Sequence, residues 1–242
     1  MNRFVIIGPP RSSTGSLVKS LADHPDCICG KELLATDVLN GEADFNFEAS
    51  LKGKYISIDS NIQPPVRRLN ELVPKNNIGA VGFKATTLQL NKSKTESYIP
   101  SDIHIIRIRR SIEDVLPSLI FANGIKKFHL QGNDLTAEAR QVYSEHHITI
   151  TKRLIAKSNF VDDLLENHNG KIHDVHYNDL NTVEGYYDVL RFLELQLIPR
   201  PNIYSKRYSD GNIIKDSIEN YDVVMDDLKS ITDELNLTNL NI

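Results

Sequence analysis

Phe4-Val-Ile-Ile-Gly-Pro-Pro-Arg-Ser-Ser-Thr-Gly-Ser-Leu-Val18 decides the fold. Phe4 to Ile7 is an apolar run of strand length, the form of a strand buried on both faces. Gly8-Pro9-Pro10 ends it, because proline brings no N–H to a ladder. Small residues follow around Arg11. Leu17, Val18, Leu21 and Ala22 then recur at helical spacing until His24-Pro25 stops them. The unit is strand, phosphate-sized loop and helix. Its loop amides and helix N-terminus form an anion site, to which hydroxyls and Arg11 add charge-assisted donors. A nucleoside-triphosphate loop carries Lys directly after its last Gly. Here Ser16 follows Gly15, and the cation stands at the front of the loop.

Working outward, Lys54 to Ile58 alternates like a strand that ends at Asp59, and Pro64-Pro65 opens a helix. Gly79-Ala-Val-Gly-Phe-Lys84 reads as a buried strand with Lys84 at its carboxyl end. Asp102 to Ile108 alternates and runs into Arg109-Arg110. Ser111-Ile-Glu-Asp114 has the capping-box form, and its helix, kinked by Pro117, ends near Asn123-Gly124. Thr136 begins the longest helical stretch, with Tyr143, His147, Ile150, Leu154, Val161 and Leu165 as one stripe. Lys171 to Tyr177 is a further strand. Asn181 to Glu184 caps a helix with Val183, Tyr187, Leu190 and Leu193 inward. A last amphipathic helix lies around Ile218 to Leu228. Strands alternating with helices imply one α/β domain over 1–242, a mostly parallel sheet with helices on both faces. Ligands of such sheets bind beyond the carboxyl ends of the strands. Arg11, Asp59, Lys84, Arg109, Arg110 and Tyr177 all stand at such ends.

Composition narrows the partners. The net charge of −4 over 242 residues gives no general attraction to nucleic acid or to an anionic membrane. No apolar run approaches the roughly 20 residues of a membrane span, and the chain enters a strand without a leader-like region. Cys27 and Cys29 are the only cysteines. Spaced Cys-x-Cys, they read as two reduced thiols in a cytoplasmic-type compartment. No His, Cys or Asp cluster has metal spacing, so no metal is expected.

The loop resembles that of sulfotransferases that use 3′-phosphoadenosine 5′-phosphosulfate (PAPS), which runs P-[KR]-S-G-T-T or P-R-S-G-S-T. Pro10, Arg11, Ser12 and Thr14 match; Ser13 replaces a Gly, and Gly15 a residue that is usually a hydroxyl. Arg110, Asp114 and Ser118 match the family's R-x-P-x-D-x-x-x-S spacing, with Ile112 where Pro stands. His176-Tyr177-Asn178-Asp179-Leu180 with Leu190 to Leu195 resembles its Y-E-D-L…F-L-G-L segment, with Asn178 for Glu and Glu194 for Gly. Ile218 to Asp222 is similar to its I-x-N-Y-x-E element. Val81-Gly-Phe-Lys84 resembles the G-F-K strand of bacterial carbohydrate sulfotransferases.

The resemblance implies that PAPS, and its product PAP, is held by the 5′-phosphosulfate loop Arg11, Ser12, Ser13, Thr14, Gly15 and Ser16. Arg110 and Ser118 take the 3′-phosphate, helped by Arg109, Lys206 and Arg207, and Tyr177 lies near the adenine. Arg11 and Lys84 join the catalytic set. The acceptor is a hydroxyl of a small molecule or carbohydrate, and its proton needs a base. Family members with the R-R motif use Glu in a G-x-E segment after the first helix, which makes Glu32 the first choice, ahead of His24 and Asp59. A P-loop phosphotransferase using ATP and Mg²⁺, and a non-catalytic nucleotide- or glycan-binding module, are open alternatives.

Overall fold

A computed structural model describes residues 1–35, 39, 54–57, 66, 67, 69, 73–124, 145–199, 201, 211–237 and 240–242. Strand β1 is Asn2–Gly8, followed by helix α1, Thr14–Asp23, and strand β2, Cys27–Glu32. Two short strands, β3 (Tyr55–Ser57) and β4 (Val73–Pro74), pair antiparallel as a separate ribbon. Strand β5 is Ala80–Thr86, helix α2 is Lys92–Tyr98, strand β6 is His104–Arg109 and helix α3 is Ile112–Gly124. Then come α4 (His147–Glu166), β7 (Ile172–His176), α5 (Val183–Phe192), α6 (Gly211–Ser217) and α7 (Tyr221–Glu234).

Five strands form one parallel sheet in the order β2-β5-β1-β6-β7. Burial explains why β1 is central. Phe4 and Ile6 point into a core with Leu17, Val18 and Leu21 of α1 and Val189 and Leu190 of α5. Val5 and Ile7 point to the other face, into a core with Val81, Phe83, Ile105 and Val161 of α4. Alternation along one apolar strand thus feeds two layers. A third cluster joins α3, α4 and α7 through Val115, Leu116, Leu154, Val224 and Leu228. Pro117 lies inside α3 without ending it.

Cys27–Glu32, to which the sequence reading assigns no element, is an edge strand of the main sheet. Three expectations are corrected. Of the strand expected over 54–58, Tyr55–Ser57 is a strand of the side ribbon and not of the main sheet; Asp59 lies outside the described residues. Helix α4 starts at His147, after non-helical residues 145 and 146, so no single helix runs from Thr136. Thr182 caps α5 by accepting from the Gly185 N–H. Val183 is therefore exposed, and Tyr186 and Val189 face inward.

Candidate functional site

The loop after β1 turns so sharply that Gly8 cannot carry a side chain. A Cβ there would stand 2.9 Å from Thr14 Cγ2 and 3.0 Å from Ser12 Oγ. The Ser12 hydroxyl, fully buried, donates to Pro9 O at 2.6 Å and closes the turn. Arg11 and Ser13 both have left-handed backbones, with φ of 68° and 58°. Ser13 is the N-cap of α1, and its side chain makes no capping bond. The Ser16 and Leu17 N–H groups both donate to Ser13 O, at 2.9 and 3.1 Å, whereas the Thr14 and Gly15 amides precede any intrahelical acceptor and are left as donors for an anion.

On the β6 side of the loop, four residues come together. Arg11 Nε donates to Ser118 Oγ at 3.1 Å. An Arg110 guanidinium N–H donates to Arg11 O. The same guanidinium lies 4.0 Å from the centre of the Tyr177 ring, a cation–π stack. Arg110 Nε is buried and finds no hydrogen-bond partner among the described residues. Asp114, one helical turn on, forms a long ion pair with it at 3.8 Å. Burial first, and the adjacent Arg110 charge second, push the Arg11 guanidinium below its ordinary range. Two cations packed this way favour an incoming anion.

On the β5 side stands a different pair. Lys84, nearly buried, donates to Glu32 Oε1 at 2.5 Å. Gln89 Nε2 donates to the other oxygen, Oε2, at 2.7 Å. Gln89 Oε1 is itself held by the Thr86 N–H at 3.0 Å. An irregularity in β2 between Gly30 and Glu32 makes Glu32 the register partner of Lys84. A Cβ on Gly15 would lie 3.9 Å from Lys84 Nζ. The ammonium therefore stands beside the first turn of α1, and loop, Lys84 and Glu32 form one continuous edge. Two of the four lone-pair positions of the Glu32 carboxylate are used, which leaves it able to accept further.

No family model matches the chain, and no curated protein matches it. The crystal structure of a sulfotransferase from Alicyclobacillus acidocaldarius is similar to it in fold, with a TM-score of 0.49 and 13% identity over 96% of this chain and 95% of that one.

Other expected residues lie elsewhere. The Arg109 Nε pairs with Asp174 at 3.0 Å and so turns from the Arg11–Arg110 cluster. Buried Arg107, two residues earlier and on the same strand face, contacts the same Asp174 at 3.9 Å and Asp162 at 2.6 Å. His24 is fully buried. Its Nδ1 accepts from the Asp26 N–H at 3.1 Å, and its Nε2 faces Gln196 O at 2.9 Å, so both nitrogens serve the fold. Lys206 and Arg207 lie outside the described residues. Gln89 was not singled out in the sequence, although Thr86-x-x-Gln89 has capping-box spacing that signals a held amide. Cys27 and Cys29 are free and buried. Burial pushes the Cys27 thiol up to about 12 and Cys29 upward as well, which makes both inert. Among the described residues, no group of three or more could hold a metal, and no helix is long and apolar enough to cross a membrane.

Proposed function

We propose that the protein is a PAPS-dependent sulfotransferase that acts on a hydroxyl of a small-molecule or carbohydrate acceptor. The observation that carries this reading is the division of the loop's surroundings: paired guanidiniums with Ser118 on one side, an ammonium–carboxylate pair on the other. The residues fit the nucleotide. The buried, unpartnered Nε of Arg110 is a donor awaiting an anion, and Tyr177 offers a ring beside it. PAPS would supply the activated sulfuryl group.

The chain's own groups then take distinct roles. Arg11, Arg110 and Ser118 bind and orient the nucleotide phosphates, with Arg11 turned toward Ser118 rather than toward Gly15. Lys84, together with the loop amides, neutralises charge where the transferred group leaves, by the logic of phosphoryl transfer. Glu32 takes the acceptor's proton. Its pairing with Lys84 aims it, and Gln89 fixes the carboxylate plane. The compartment expected from the reduced thiols is cytoplasmic.

Calorimetry with PAP against ADP tests the reading. PAP is expected to bind at least about 10-fold tighter, because a charged donor left without its phosphate loses roughly 1.5–3 kcal/mol. Equal binding of ADP, strengthened by Mg²⁺, would favour the phosphotransferase reading. PAP binding with no turnover on any hydroxyl acceptor would favour a binding module.

A further inference from the structure

Residues Leu240 to Ile242 lie antiparallel against Arg110 to Ile112. The Arg110 N–H donates to Ile242 O at 3.1 Å, and the Ile242 N–H donates to Arg110 O at 3.0 Å. The Ile112 N–H donates to Leu240 O at 3.1 Å, with Ser111 and Asn241 opposite each other. The Ile242 side chain is buried in the cluster that holds Ile112, Val115 and Leu116. Strand β6 ends at Arg109, where the sheet ladder ends too. Both backbone polar groups of Arg110 thus lie beyond the sheet and are taken by this one segment. The guanidinium of Arg110 has two simultaneous tasks, the bond to Arg11 O and the stack over Tyr177. A small turn of its backbone would swing it off both.

We infer that Leu240–Ile242 is a positioning strap: it fixes the backbone of Arg110 and thereby sets the anion affinity of the β6 side of the site. It touches no ligand and acts through Arg110. Its effect on nucleotide affinity rests on the sulfotransferase reading; its effect on the Arg110 side chain does not.

The experiment uses two readouts on the full chain. The first is the Nε–Hε NMR resonance of Arg110, assigned by its loss in Arg110→Lys and displaced by the ring of Tyr177. The second is PAP affinity by calorimetry. Ile242→Pro removes the N–H that bonds Arg110 O, and Ile242→Ala removes the buried anchor. Ile242→Val is the conservative rescue. Ile231→Ala, in the same cluster but on α7, controls for lost packing. Ile242→Pro is expected to move the Arg110 resonance toward its unstacked position. It should also weaken PAP about 10-fold, the low end of losing a charged hydrogen bond. Ile242→Val and Ile231→Ala should leave both readouts in place. In an Arg110→Ala background, Ile242→Pro should add no further loss of affinity. If Ile242→Pro fails to fold, Ile242→Ala carries the same two measurements. An unmoved resonance in the folded strap variants overturns the strap, as does full additivity with Arg110→Ala. A resonance that moves while wild-type protein binds no PAP upholds the strap and removes the nucleotide reading instead.

Discussion

The two sides of the loop after β1 differ in charge balance. Toward β6, two guanidiniums share space with a hydroxyl and an aromatic ring, and Arg110 keeps an unpartnered buried donor. Toward β5, one ammonium meets one carboxylate at 2.5 Å, and an amide holds the carboxylate's other oxygen. The first arrangement sets two guanidiniums against one carboxylate, Asp114 at 3.8 Å from Arg110 Nε, and so keeps an excess of positive charge. The second balances one charge with another, which suits its carboxylate to handling a proton. Binding and chemistry should therefore separate along the sheet edge, and mutations on the two sides should change different quantities.

The largest expected effect is on the β5 side. Glu32→Gln keeps size and the reach to Lys84 but removes the proton acceptor. Turnover should fall about 10²- to 10⁴-fold, the usual share of a general base, while PAP affinity stays within about 3-fold. Steady-state kinetics beside calorimetry decides it. A Gln variant with near-normal turnover sinks Glu32 as the base, and one that loses PAP binding as well erases the division between the two sides.

On the β6 side the expected effect is smaller and falls on affinity. Arg110→Ala should weaken PAP about 10- to 100-fold, corresponding to roughly 1.5–3 kcal/mol for a charged hydrogen bond. Arg109→Ala should change it less than about 2-fold, because Arg109 is engaged by Asp174. Equal losses in the two variants would mean that the doublet acts as a diffuse charge, not through one placed guanidinium.

What was legible in the sequence was local. The apolar run of β1 and the stop at His24-Pro25 are each set by a few neighbouring residues and stand as read; Ser111 does cap α3, but by accepting from the Glu113 N–H rather than through a box with Asp114. Edge strand β2 was not legible: Gly30 and two charges interrupt its apolar pattern, and it is a strand only because β5 pairs with it. The irregularity beside Lys31 has no sequence signature beyond Gly30. Without it, Glu32 would be out of register with Lys84. Arg109 and Arg110 were taken together, although the strand ends between them: Arg109 pairs with Asp174 of the neighbouring strand, and Arg110, beyond the sheet, stacks over Tyr177. On α5, Leu190 and Leu193 face inward as read, and the misjudgement is at its first residue, where Val183 follows the Thr182 cap to the surface.

The smallest effect concerns the loop that lies between the two sides. The sulfotransferase loop has Gly where this chain has Ser13, and here that residue sits at φ 58° and ψ 14°, left-handed. A non-glycine residue in that region costs about 1–2 kcal/mol. The side chain returns nothing to the helix, since it makes no capping bond. Glycine removes the strain but raises the entropy of the unfolded chain, which costs about 0.4–1 kcal/mol in the other direction. Ser13→Gly should therefore stabilise the protein by about 0.5–1 kcal/mol, a rise of roughly 1–4 °C in melting temperature for a chain of this size. PAP affinity should not fall, because the amides that face the anion belong to the backbone. A variant that melts lower would show that the Ser13 hydroxyl has a structural partner outside the described residues. A variant that is more stable but binds PAP about 10-fold more weakly would make Ser13 a ligand in its own right. The loop would then belong to the binding side, with only Glu32 and Lys84 left for the chemistry.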